Sequence, residues 1–172
     1  MKKYIIWFMV TISWIIGQER IAVMQFEGSG VDEITSKNIT DRFSYELSKT
    51  RRFDIVEREM MDKILEEQKF QASGCVADEC AVEIGQLIGV SQIVAGSISK
   101  IGDFYSLNIK LIDVATGKII YQDMDDHEGK VTDFIKGTIK NIAMRMGAEA
   151  SMGSDQSGET TTQYASTRKG KV

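Results

Sequence analysis

The hydrophobic positions of this chain follow two periods in turn. Tyr105, Leu107, Ile109 and Leu111 alternate with Ser106, Asn108 and Lys110, the period of a strand that turns one face to a core. Ile21-Ala22-Val23-Met24-Gln25-Phe26 is a short apolar run closed by Gly28-Ser29-Gly30, which reads as a buried central strand. Further strands are predicted at Phe53-Asp54-Ile55-Val56, from Ile93 to Ile98 and around Lys118 to Asp123. Elsewhere the spacing is helical. Ile34, Ile39, Phe43 and Leu47 mark one helix, and Met60, Met61, Ile64 and Leu65 a second. Val76, Cys80, Ile84, Leu87 and Ile88 mark a third, which Gly89 is placed to end. Val131, Phe134, Ile135, Ile139, Ile142 and Met146 mark the last.

This order predicts an α/β (α+β) domain with a mixed sheet of about five strands and four helices packed on it. Gly102-Asp103 and Thr116-Gly117 are hairpin-length links, so the last three strands read as an antiparallel meander. The first two strands need helical crossovers.

The two ends follow different rules. Lys2 and Lys3 precede an apolar stretch from Tyr4 to Ile16. A cationic head before about a dozen apolar residues is the signal-peptide pattern, and the stretch is shorter than the roughly 20 residues of a spanning helix. Residues 1–17 are expected to be a signal peptide, or an uncleaved anchor, since Ile15-Ile16-Gly17 lacks a small residue three places before a cut. At the other end, residues 149–172 are rich in Ser, Thr, Gly and Gln, with Arg168, Lys169 and Lys171 near the terminus. That composition buries too little surface to offset the cost of ordering, so a disordered polar tail is expected. The folded domain is read as residues 20–148.

Hydrophobic residues make up 42% of the chain and charged ones 27%, enough for a packed core. Without Lys2 and Lys3 there remain 19 basic against 25 acidic residues, a net charge of −6. The charges are interspersed, with no basic patch, so neither nucleic acid nor an anionic lipid surface is an expected partner.

Each candidate for chemistry has a structural reading beside it. Gly28-x-Gly30 follows a strand, but the third position of a dinucleotide fingerprint is Glu33, a poor neighbour for a pyrophosphate. Asp123, Asp125, Asp126 and Glu128 cluster beside the single histidine, His127. Counted from Asp123, the sixth and twelfth places of a calcium loop hold Glu128 and Phe134 instead of glycine and glutamate. The cluster is read as a solvated strand end leading into the last helix. No catalytic, cofactor-binding or metal-binding residue is assigned, and no cofactor or small-molecule substrate is expected.

Cys75 and Cys80 stand apart from these. Four residues separate the thiols, not the two of redox-active motifs. In an oxidising compartment such a pair forms a structural disulfide, stabilising the fold by about 2 kcal/mol in the chain-entropy account.

Three segments in the middle of the chain form one pattern: Gln68-Lys69-Phe70-Gln71-Ala72-Ser73-Gly74-Cys75, Cys80-Ala81-Val82-Glu83-Ile84-Gly85-Gln86-Leu87-Ile88-Gly89-Val90 and Ala95-Gly96-Ser97-Ile98-Ser99-Lys100. They resemble the CsgG family of curli assembly and transport components, a type related to TolB N-terminal and LpoB-like domains. Ile21 to Phe26, Phe53 to Arg58 and Leu111 to Gly117 fit the same pattern. The resemblance implies a periplasmic domain that works through protein contacts. Two features of the family are missing: an acylated N-terminal cysteine, since none lies near residue 17, and the long strand insertions of its membrane barrel, for which Gly102-Asp103 leaves no room.

The reading is a non-enzymatic periplasmic interaction domain acting in the assembly or transport of cell-surface components. Its expected partners are other envelope proteins, with a homo-oligomer as one form and membrane contact only through an uncleaved N-terminus. The alternatives are an accessory regulator of a cell-wall or envelope enzyme, and an exported thiol-disulfide enzyme using Cys75 and Cys80.

Overall fold

The apolar runs sort into one mixed sheet with helices on both faces. The computed structural model describes residues 18–68 and 78–152. The expected signal peptide, Cys75, Val76 and the expected tail from residue 153 lie outside them. In chain order the elements are β1 (Glu19–Val23), β2 (Glu27–Ser29), α1 (Glu33–Ser48), β3 (Phe53–Ile55), α2 (Arg58–Glu67), α3 (Asp78–Ile88), β4 (Gln92–Ile101), β5 (Phe104–Asp113), β6 (Ile119–Glu128), α4 (Val131–Lys136) and α5 (Thr138–Met152). The sheet order is β3-β1-β4-β5-β6, with β2 also on β4. β1 pairs parallel with β3 and β4, while β4, β5 and β6 form the expected antiparallel meander.

Two cores result. On one face, Ile39, Phe43 and Leu47 of α1 and Ile139, Ile142 and Met146 of α5 cover Ile21, Val23, Val94, Ile98, Leu107 and Ile109. On the other, Met61 and Leu65 of α2 and Ala81, Ile84 and Ile88 of α3 cover Ala22, Ile93 and Ile112. β1 is therefore buried from both sides, as its continuous apolar run requires.

The structure departs from the predicted elements at three places. First, the strand expected over Ile21–Phe26 leaves the sheet after Val23 and rejoins it as β2, where a glycine turn was expected. Val23 pairs with Val94 and Glu27 with Ser97, four steps against three, so one residue is extra as in a bulge. The Phe26 backbone is satisfied by α1 instead: its N–H donates to Thr40 Oγ1 at 3.0 Å, and its carbonyl accepts from Ser36 Oγ. The Phe26 ring lies over Gly96, where a Cβ would come within 2.9 Å of it. Second, β6 runs on to Glu128, so the acidic run is strand rather than strand end. Third, the last helix is broken at Gly137 into α4 and α5. α5 continues to Met152, past the expected domain end at 148.

Local signals fix the helix ends. Asp32 caps α1, accepting from Thr35 N at 2.8 Å and from Thr35 Oγ1 at 2.7 Å. These bonds, the side-chain one first, hold its carboxyl below the ordinary value. Gly89, at φ 74°, ends α3 as expected.

Candidate interaction surface

The glycine pair after β1 serves the backbone. Gly30 has φ 73°, and a Cβ there would collide with the Lys100 carbonyl, so the left-handed turn and the close approach to β4 both require glycine. Gly28 borders a cleft of about 630 Å³ at the carboxyl end of β1, the end of a parallel strand where ligands commonly sit in α/β sheets. Its floor is apolar, from Phe26, Met61, Leu65 and Ile84, and its rim carries Glu27, Glu33, Asp62 and Arg58. Arg58 Nε is engaged by Asp41 at 3.1 Å. Three carboxylates at the mouth oppose a pyrophosphate, which extends the objection that Glu33 raised from sequence alone.

Strand alternation divides the acidic cluster. Asp123, Asp125 and His127 point to the α5 side of β6, while Asp126 and Glu128 point to the other. Arg145 of α5 binds the first pair, with Nε at 2.7 Å from Asp123 and an Nη at 3.1 Å from Asp125, and these contacts raise its pKa. Tyr121 Oη donates to Asp123 at 2.9 Å. Burial, and then that neighbouring carboxylate, raise the Tyr121 pKa. The His127 ring lies 6.2 Å from that of Phe134. Among the described residues, no three His, Cys, Asp or Glu side chains converge as a metal ion would need.

The remaining candidates are structural in setting. Glu46, only 3% exposed, is paired with Arg42 at 2.6 Å and Lys49 at 3.1 Å on its own helix. Cys80 lies in the first turn of α3, partly buried against the second core. Its expected partner, Cys75, is outside the described residues.

Sequence reasoning did not foresee the most distinctive surface. Among the described residues, helices α2 and α3 pack on the lower rows of the sheet, and no helix packs on the same face of the upper meander. Ser97 and Asp126 are exposed there and Met124 is 62% exposed, while Ser99 and Ser106 are half-buried and Asn108 Oδ1 is buried. At the β4–β5 hairpin tip, Ile101 and Phe104 are paired across the strands and are 78% and 43% exposed. Beside this face, β6 ends the strand order, and among the described residues no strand pairs with its outer edge. The alternation in β5 predicts that one face is polar. What it does not reveal is that no helix returns to cover that face.

These features define a class: a layered α/β domain whose parallel half is enclosed and whose meander stays open on one side. The family model described as curli production assembly/transport component CsgG matches residues 18–104, and the chain belongs to that family. Among solved structures, the LpoB C-terminal domain from Salmonella enterica is similar at 14% identity and TM-score 0.56, over 72% of this chain and 92% of that one. Lipoprotein GNA1162 from Neisseria meningitidis is similar at 12% identity and TM-score 0.56, over 81% and 99%. A PelC dodecamer from Paraburkholderia phytofirmans matches at 13% identity and TM-score 0.50, over 76% and 86%. At such identities the likeness is one of fold. No curated protein matches the sequence. No helix among the described residues is long and apolar enough to cross a membrane.

Proposed function

We propose that this chain is an exported, non-enzymatic interaction domain of the cell envelope, acting in the assembly or transport of surface components. The observation that carries the reading is the open face of the meander, with Ile101, Phe104 and Met124 exposed, in a member of the CsgG family. An apolar group left in water on a rigid sheet is a standing opportunity for a protein partner. Residues 1–17 act as the export signal, and Cys75 and Cys80 close a loop at the start of α3 in the oxidising compartment. The partners are other envelope proteins, and copies of the chain itself. The family's pore is not part of this reading, because β4 and β5 turn directly through Gly102-Asp103 and pair along their whole length.

Fractionation of the native source, with thiol titration before and after reduction, tests the proposal. The expected result is a periplasmic protein whose two thiols react only after reduction. A cytosolic protein with both thiols free sinks it. Two reactive thiols of depressed pKa in an exported protein point instead to the thiol-disulfide enzyme. A photo-crosslinker at Ile101 should join the chain to an envelope protein in intact cells, while one at Glu66, on an exposed part of α2, should not.

A further inference from the structure

We infer that the outer edge of β6 receives the tail of a second copy of this chain, residues 160–169, as a parallel seventh strand. Among the described residues no strand pairs with the outer edge of β6, which is ten residues long, a template for another strand. Asp123 and Asp125 are taken up by Arg145, but the exposed Asp126 and Glu128 leave the end of β6 acidic and disfavour pairing with a second acidic edge. The same charges favour a basic strand. The chain contains one: Thr160-Thr161-Thr162-Gln163-Tyr164 is rich in strand-forming types and leads to Arg168, Lys169 and Lys171. On a preformed edge the backbone of this segment gains partners at once.

The register follows from the side chains. A parallel alignment that sets Arg168 beside Glu128 also sets Tyr164 beside Met124 and Thr162 beside Gln122, so base meets acid and apolar meets apolar on the open face. An antiparallel alignment that puts Arg168 at Asp126 carries Tyr164 past the end of β6. The parallel arrangement is the better match.

The chain's own tail is poorly placed to supply this strand. Arg145 lies on Asp123 and Asp125, and seven further residues of helix, about 10 Å, bring Met152 to the level at which β6 begins. A strand returning from there would be parallel, but the crossover would have the wrong hand. The β1–α1–β3 crossover steps toward the β3 edge over the face that carries α1. α5 lies on that same face, and β6 runs in the direction of β1. A step outward from β6 therefore has the opposite hand, in a class of connection that is right-handed about 98% of the time. A neighbour's tail meets no such constraint, and the resulting contact joins two different surfaces, tail to edge.

Amide hydrogen exchange and sedimentation of the full exported chain, across an approximately hundredfold dilution, test this. At the high concentration the chain should be oligomeric, with the alternate β6 amides that do not face β5 protected about tenfold or more. Dilution should expose them as the oligomer dissociates. The triple change Arg168→Glu, Lys169→Glu and Lys171→Glu, and separately truncation after Met152, should each give a folded monomer with those amides unprotected. Adding Asp126→Lys and Glu128→Lys to the reversed tail should restore association. Protection that persists in the diluted monomer assigns the strand to the chain's own tail and overturns the proposal. So does equal exposure of β6 in the parent and the reversed-tail chain.

Discussion

The two halves of the sheet solve the same burial problem differently. The parallel half, β3-β1-β4, lies between α1 on one side and α2 and α3 on the other, and Ile21 and Ala22 are both fully buried on opposite faces of β1. The meander half has α4 and α5 on one side and, among the described residues, no helix over the upper part of the other. In the first half Ile21, Ala22 and Val23 of β1 answer to packing on both faces. In the second, alternate positions are released from it and can carry polar groups, charge or a contact surface. Ile98 and Ile101, three residues apart on β4, show the contrast: 0% and 78% exposed.

The enclosed half should be the more fragile. Phe26 is 1% exposed, with its ring 5.3 Å from that of Phe43, and it fills the space left by Gly96. Phe26→Ala should cost about 3–5 kcal/mol, read by urea unfolding at neutral pH. A loss below about 1 kcal/mol would mean that the core collapses into the space and is less tightly defined than the packing implies. Thr40→Val should come next. It keeps the shape of a fully buried side chain but removes the acceptor of the Phe26 N–H. An unpaired buried donor costs about 1–3 kcal/mol, so T40V should destabilise measurably, whereas Lys37→Ala on the exposed side of the same helix should not.

That pair of residues also marks where the sequence stopped being legible. The two periods place β4, β5 and the apolar faces of the helices, because burial on one side or two is written directly in residue type. The meander was legible because Gly102-Asp103 and Thr116-Gly117 leave no length for anything except hairpins. The break after Val23 was not, because it depends on hydroxyls of Ser36 and Thr40 that lie ten and more residues away and look like ordinary helix residues. The division of the acidic cluster becomes legible once β6 is carried to Glu128, since alternation then separates Asp125 from Asp126. Of the expected disulfide loop, residues 75–77 lie outside the described residues.

Asp32 gives a milder, pH-dependent test at the start of α1. Its folded-state pKa lies below the ordinary 3.8 because Thr35 donates to it. The cap therefore adds stability above that value and loses the addition as pH falls through the lowered one. Asp32→Ala should lower the thermal midpoint at pH 7, and the gap from the parent should narrow in strongly acid solution to about the gap that separates Asp32→Ala from Asp32→Asn. Asp32→Asn retains an acceptor and should keep most of the midpoint throughout. A D32A deficit as large in strong acid as at pH 7 would show that the carboxylate charge is irrelevant to the cap.

The smallest effect on folding is expected where the contact surface is proposed. Ile98→Ala removes a fully buried side chain and should cost about 2–5 kcal/mol. Ile101→Ala removes a similar amount of carbon from a hairpin tip that is already wet, so its effect on unfolding should stay within about 0.5 kcal/mol. The two substitutions are chemically identical and sit on one strand, so the difference isolates what covers each face. If I101A destabilises the isolated chain as much as I98A, the tip is covered from within the chain and the open face does not exist. If I101A leaves folding intact and abolishes the crosslink formed by a photo-crosslinker at its cross-strand neighbour Phe104, the side chain is kept for its contacts with other molecules. An apolar residue that contributes nothing to its own fold is best explained by a surface that it covers elsewhere.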